Sequence, residues 1–144
     1  MSTTLVPYTE EYRESLANMV NHRYWRRYTN RGCYALFSLF RIYHSDLFLL
    51  RKDNDIVGCI VLRSKLPLIH PRDIWIYGVF VLPSCRGCGY GKEMMKLVMD
   101  RNRQKNIYLW VKNNNPIAIS MYKGLGFAEI DMHREMILMK YDAL

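Results

Sequence analysis

The stretch that most restricts this chain is IWIYGVFVLPSCRGCGYGKEMM, residues 74–95, where an apolar run meets three alternating glycines and then a helical pattern. Ile74 to Leu82 is apolar at nearly every position and rich in aromatic and β-branched residues. That composition predicts a strand buried on both faces. Gly87, Gly89 and Gly91 then free the backbone to turn several N–H groups toward one point, a geometry that suits an anion. A helix starting there aims its positive end at the same place, worth roughly 0.3–1 kcal/mol per favourable charge. The plainer reading is a tight turn, but its place behind a buried strand favours a phosphate site. Two familiar phosphate motifs fail on spacing. A P-loop needs glycine where Arg86 stands and Ser or Thr where Glu93 stands, and Gly87, Gly89 and Gly91 run G-x-G-x-G, not G-x-G-x-x-G.

Periodicity supplies the remaining elements. TTLVPYT reads as a short first strand, and EEYRESLANMVNH as a helix with Tyr12, Leu16, Met19 and Val20 along one stripe. A second helix is expected over much of Cys33 to Tyr43. DLFLLRK and IVGCIVLRSK read as two strands joined by the acidic turn DND, and LPLIHPRD as a proline loop. Past the glycines a helix runs to about Asn102, with Met94, Leu97 and Val98 on its packed face, and NIYLWV is the next strand. Asn115 can cap a helix that begins at Pro116. Gly124 or Gly126 can end it with a left-handed residue. FAEIDMHREMILMK closes the chain as one or two strands. This order predicts a single mixed α/β domain over residues 1–144, built around a central sheet.

Lys and Arg exceed Asp and Glu, 21 to 13, a net charge of +8. The balance favours a polyanionic partner without choosing among nucleic acid, acidic lipid and a phosphate-rich small molecule. The opening MSTTLVPYTEEYRES meets charge too early for a signal peptide. The run from Ile74 to Leu82 is too short to cross a bilayer. The four cysteines fit a chain that keeps its thiols reduced. A cytoplasmic protein without a membrane partner is expected.

VLPSCRGCGYG resembles the signature of the GNAT superfamily of acetyl-CoA-dependent N-acetyltransferases: V-x-P, two residues, then R-G-x-G-x-G. LWVKNNNPIAISMYKGLGF is similar to the second GNAT signature, through Asn115, Ala118, Ile119, Tyr122, Gly126 and Phe127. The order of elements also follows the family, so the resemblance covers essentially the whole chain. It implies a mixed sheet of six to seven strands with a splay between strands 4 and 5, flanked by about four helices. It further implies that acetyl-CoA is the co-substrate, its pyrophosphate held by Arg86, Gly87, Cys88, Gly89, Tyr90 and Gly91. Val79 and Val81 would supply main-chain contacts to the pantetheine arm, a donor near Val79 polarising the thioester carbonyl. Asn115 would contact the arm or support the splay, and Tyr122 would be the general acid.

The resemblance breaks at the base. Spermidine/spermine-type members carry a glutamate where this chain has Tyr77, and ribosomal-protein alanine acetyltransferases carry one where it has Trp110. Asp73 or His70, acting through water, or water alone, is left for that duty. Cys85 and Cys88 form C-x-x-C with no second pair to complete a zinc site, so no metal is expected, although two thiols in a phosphate loop could be oxidation-sensitive. HRYWRRYTNR, residues 22–31, interleaves four arginines with three aromatics. It could bind single-stranded nucleic acid, form an exposed connection, or wall an acceptor groove for an amine with acidic neighbours. Lys92 and Lys96 could meet the 3′-phosphate of coenzyme A, and His44 and His133 read as surface residues. The leading expectation is acetyl transfer to a primary amine on a peptide N-terminus, a lysine or a small molecule, by direct attack in a ternary complex. A non-catalytic acyl-CoA-binding module of the same fold comes second, and a basic nucleic-acid-binding domain last. A monomer or homodimer suits all three.

Overall fold

The computed structural model describes residues 2–20, 47–63 and 70–144. The helix expected over Cys33 to Tyr43, the arginine-rich segment 22–31 and His44 lie outside the described residues, as do residues 64–69 of the proline loop. The strands are β1 (Thr3–Pro7), β2 (Leu47–Lys52), β3 (Asp55–Arg63), β4 (Asp73–Val81), β5 (Asn106–Lys112), β6 (Ala128–His133) and β7 (Met136–Tyr141). The α-helices among the described residues are α1 (Arg13–Val20), α2 (Tyr90–Arg101) and α3 (Pro116–Gly124), one fewer than expected. All seven strands join one mixed sheet in the order β1-β2-β3-β4-β5-β7-β6. Strands β4 and β5 are parallel, while β1–β2, β2–β3, β5–β7 and β6–β7 are antiparallel. Pro7 sits in edge strand β1, where a missing N–H costs no internal ladder bond.

The chain divides into two compact units, Met1–Val61 with Val79–Gly91 and Leu62–Gly78 with Lys92–Leu144. In the first, the helical stripe of the sequence does what its spacing implies. Leu16 and Met19 of α1 are buried in a cluster with Leu47, Leu49, Cys59, Val61 and Phe80, and Tyr12 packs against it. Asp53 turns β2 into β3 with φ +52, a left-handed conformation that Asp tolerates better than most residues.

In the second unit, α2 buries Met94, Met95 and Val98, and β5 alternates, burying Ile107, Leu109 and Val111. The β4–β5 ladder runs from Asp73↔Asn106 to Ile76↔Leu109, and Tyr77, Gly78, Trp110 and Val111 lie past its end. β5 keeps pairing with β7 through Lys112, so its two ladders end at different points. That mismatch is the splay expected between strands 4 and 5. β6 forms the other edge of the sheet, exposed along its length and bulged between Glu129 and Asp131, a common way to blunt a free edge. His133, at its end, is exposed as expected.

One expectation needs correction. β4 is not buried on both faces: Ile74, Ile76 and Phe80 are buried, but Tyr77 is 58% exposed and Trp75 half-buried. Continuous apolar character reads as double burial because helices usually cover both faces of a parallel sheet. Here part of the second face is a pair of rings that cover each other. Trp75 stacks on Tyr108, its registered partner, with centroids 4.8 Å apart and planes 16° from parallel.

Candidate active site

The glycine loop belongs to the first unit. Pro83–Cys85 makes one turn of 3-10 helix after β4, its Cys85 N–H donating to the Leu82 carbonyl at 2.8 Å. The Leu82 N–H donates to the Val57 carbonyl at 2.9 Å, fixing where the loop leaves the sheet. Arg86 folds back: its Nε donates to the Val81 carbonyl at 3.1 Å and its guanidinium lies 5.6 Å from the Phe80 ring centre. Gly87 and Gly89 then adopt φ +76 and +85, values that any side chain would strain. A Cβ at either would meet nothing within 4 Å, so their side of the loop is open. Among the described residues no acceptor meets the N–H groups of Gly87, Cys88 and Gly89, and α2 starts at Tyr90. N–H groups that converge beside a helix N-terminus can form a nest for an anion. The turn is tight and its outer side is open.

A groove of about 840 Å³ runs beside this loop, with Leu82, Cys85 and Tyr90 on one wall, Tyr12 and, from α1, Met19 on another, and the β2–β3 turn closing it. Lys52 places its ammonium 5.3 Å from the Tyr90 ring centre. The hydrogen bond that Lys52 donates to Tyr90 is the largest cause raising its pKa, so this cation stays charged beside the loop. Residue spacing could not signal Lys52, which comes from the β2–β3 hairpin, far along the chain from the loop. Cys85 is half-buried, Cys88 is exposed and both are free thiols. No three His, Cys, Asp or Glu side chains gather into a metal-binding group among the described residues. Lys92 and Lys96 are exposed on α2.

In the second unit, Asn115 caps α3, its Oδ1 accepting the Ala118 N–H at 3.2 Å, as its place before Pro116 implied. Its side-chain oxygen is thereby engaged, and no described residue accepts from its amide N–H groups. Tyr122, in the last turn of α3, is 8% exposed. Its ring lies 5.7 Å from that of Phe127. Burial pushes its hydroxyl up to about 12, and no described residue hydrogen-bonds it. A buried, unpartnered hydroxyl is uncommon in a folded chain. The two groups considered as base do other work. Asp73 accepts from the Asn106 side chain at 3.1 Å, and His70 Nδ1 accepts the Arg72 N–H at 3.1 Å. Asp73 opens the β4–β5 ladder, about 13 Å along the strand from Tyr77.

Tyr77 and Trp110 both lie just past the end of that ladder. The Arg63 guanidinium sits 4.6 Å from the Tyr77 ring centre. With Trp75 and Tyr108 they give β4 and β5 a run of rings on one face, which the alternate spacing of W-x-Y and Y-x-W could have signalled.

The family model described as Acetyltransferase (GNAT) family covers residues 8–127, and the chain belongs to that family. N-alpha-acetyltransferase RimI of Mycobacterium tuberculosis is 27% identical over 71 residues, 49% of this chain and 45% of that protein, so the chain spans less than half that relative's length. The 5-NmdU N-acetyltransferase of Pseudomonas phage PaMx11 is 24% identical over 119 residues, covering 82% of this chain and 81% of the other. Among solved structures, spermidine N-acetyltransferase from Vibrio cholerae in complex with CoA and spermine superposes with a TM-score of 0.78 at 19% identity, over 96% of this chain and 94% of that one. At that identity the likeness speaks for the fold.

Proposed function

We propose that this chain, taken as one domain over residues 1–144, transfers an acetyl group from acetyl-CoA to a primary amine by direct attack in a ternary complex. The observation that carries the reading is the loop itself: two left-handed glycines, an open concave side and N–H groups with no acceptor among the described residues. A diphosphate suits such donors in charge. Lys52 supports it with a cation beside the loop.

Bound acetyl-CoA supplies an activated acetyl group as a thioester. Residues Arg86 to Gly91 hold its pyrophosphate, and the backbones of Val79 and Val81 hold the pantetheine arm. The Val81 carbonyl shares its acceptor capacity with Arg86 Nε. A donor at Val79 steadies the charge that grows on the carbonyl oxygen. Asn115 offers its amide N–H groups to the arm. Tyr122, neutral over the working pH range because burial raises its pKa, gives its proton to the departing sulfur. With rings at Tyr77 and Trp110, water accepts the proton from the ammonium form of the amine. A cytoplasmic location agrees with the free thiols at Cys59, Cys85 and Cys88.

The relatives named for peptide N-termini, for 5-NmdU and for spermidine support an amine acceptor in general and differ on which. The test is release of coenzyme A thiol from acetyl-CoA as a panel of peptides, polyamines, aminoglycosides and aminated nucleotides is offered. Release with one class establishes the transfer. Tight acetyl-CoA binding without release for any class supports the second reading, a non-catalytic acyl-CoA module, which the missing carboxylate base keeps in play.

A further inference from the structure

We propose that the rings on the second face of β4 and β5 form the acceptor platform, and that the amine they present is borne by a base of single-stranded nucleic acid. The inference rests on the acetyl-transfer reading and adds the substrate class. Trp75 and Tyr108 are a registered pair in stacking contact. Tyr77 and Trp110 lie two residues further along the same strands, hence on the same face. They are 58% and 41% exposed, past the point where the ladder stops. Along the chain Tyr77 is two residues before Val79, the position assigned to the thioester carbonyl.

Charge decides what such a surface attracts. Arg63 covers one side of Tyr77, and Lys140, shared with Asp142 at 2.8 Å, stands 5.6 Å from the Tyr108 ring centre. A polyamine needs carboxylates, and this face sets a guanidinium and an ammonium among its rings. Flat rings beside cations on a chain of net charge +8 match the bases and phosphates of a nucleic-acid strand. Every base offers a π-face, so stacking holds the strand without reading its sequence.

The test compares a short labelled single strand with an abasic phosphodiester strand of equal length, by anisotropy at fixed salt. Tyr77→Ala and Trp110→Ala are expected to weaken the base-bearing strand by roughly tenfold each while leaving the abasic strand unchanged. Trp110→Phe is expected to keep most of the affinity. Calorimetry on the same preparations is expected to show acetyl-CoA binding unmoved, and a strand carrying one aminoalkyl pyrimidine is expected to be acetylated ahead of spermidine and of a free peptide N-terminus. Equal binding of both strands, equal losses for both, or acetylation of spermidine or peptide alone overturns the platform. Strand binding without acetyl-CoA binding overturns the transfer reading and the acceptor role with it, and leaves a stacking site.

Discussion

Tyr122 occupies the position the second GNAT signature gives to the general acid, and the structure buries it with an unpartnered hydroxyl among the described residues. A core tyrosine chosen for packing alone would lose nothing as phenylalanine except a polar atom. A proton donor would lose the reaction's second half. Tyr122→Phe is therefore expected to lower turnover by roughly a hundredfold while acetyl-CoA affinity holds, measured by steady-state kinetics and calorimetry side by side. Unchanged turnover removes the role. The pH profile gives an independent reading. With the hydroxyl pushed up to about 12 by burial, no alkaline fall in turnover below about pH 11 is expected to come from Tyr122. A fall near pH 9 that disappears in Tyr122→Phe would contradict this.

At the level of elements, α3 shows how closely short sequence signals can fix local structure. Asn115 accepts from the third residue on, Pro116 fills the first helical position, and the helix ends in a Schellman motif. The Phe127 N–H donates to the Tyr122 carbonyl and the Gly126 N–H to the Lys123 carbonyl, both at 3.0 Å. The Phe127 and Tyr122 rings supply the hydrophobic contact that accompanies the motif. Of the two glycines the sequence offered, only Gly126 is left-handed, at φ +100. Asn115→Ala is expected to destabilise the fold by about 1 kcal/mol. Gly126→Ala is expected to cost more, because it strains φ and brings a Cβ to 3.1 Å from the Tyr141 ring. Thermal melts of both variants check the order, and Gly126→Ala melting above Asn115→Ala would contradict it. β4 was less legible. Trp75 and Tyr77 score as strand formers wherever they face, so an apolar run cannot distinguish a ring under a helix from a ring stacked on a neighbour. Lys52 was beyond reach for another reason: what puts it beside Tyr90 is the sheet, not the spacing.

For the molecule as a whole, alkaline pH should expose two buried acids at once. Burial raises Cys59 from 9.0 and Tyr122 from 10.0, each to about 12. Both are neutral in the folded chain at pH values where the unfolded chain has released their protons. Folding stability is thus intact below pH 9, falls first through Cys59 and, above pH 10, through Tyr122 as well. Melting temperature is expected to decline across that window, and Cys59→Ala is expected to flatten the part between pH 9 and pH 10. No helix among the described residues is long and apolar enough to cross a membrane. The family and its sheet were legible in two short signatures, because phosphate cradles and helix caps are local; the acceptor was not, because what an acceptor site recognises is set by side chains that the fold brings together from separate strands. The most direct measurement is titration of coenzyme A into the wild type and Gly89→Ala, whose new methyl group would enter the open side of the loop. The expected result is binding by the wild type and a loss of roughly tenfold or more in a variant that still folds. No binding by the wild type, or equal binding by both, would contradict the phosphate-cradling role of this loop.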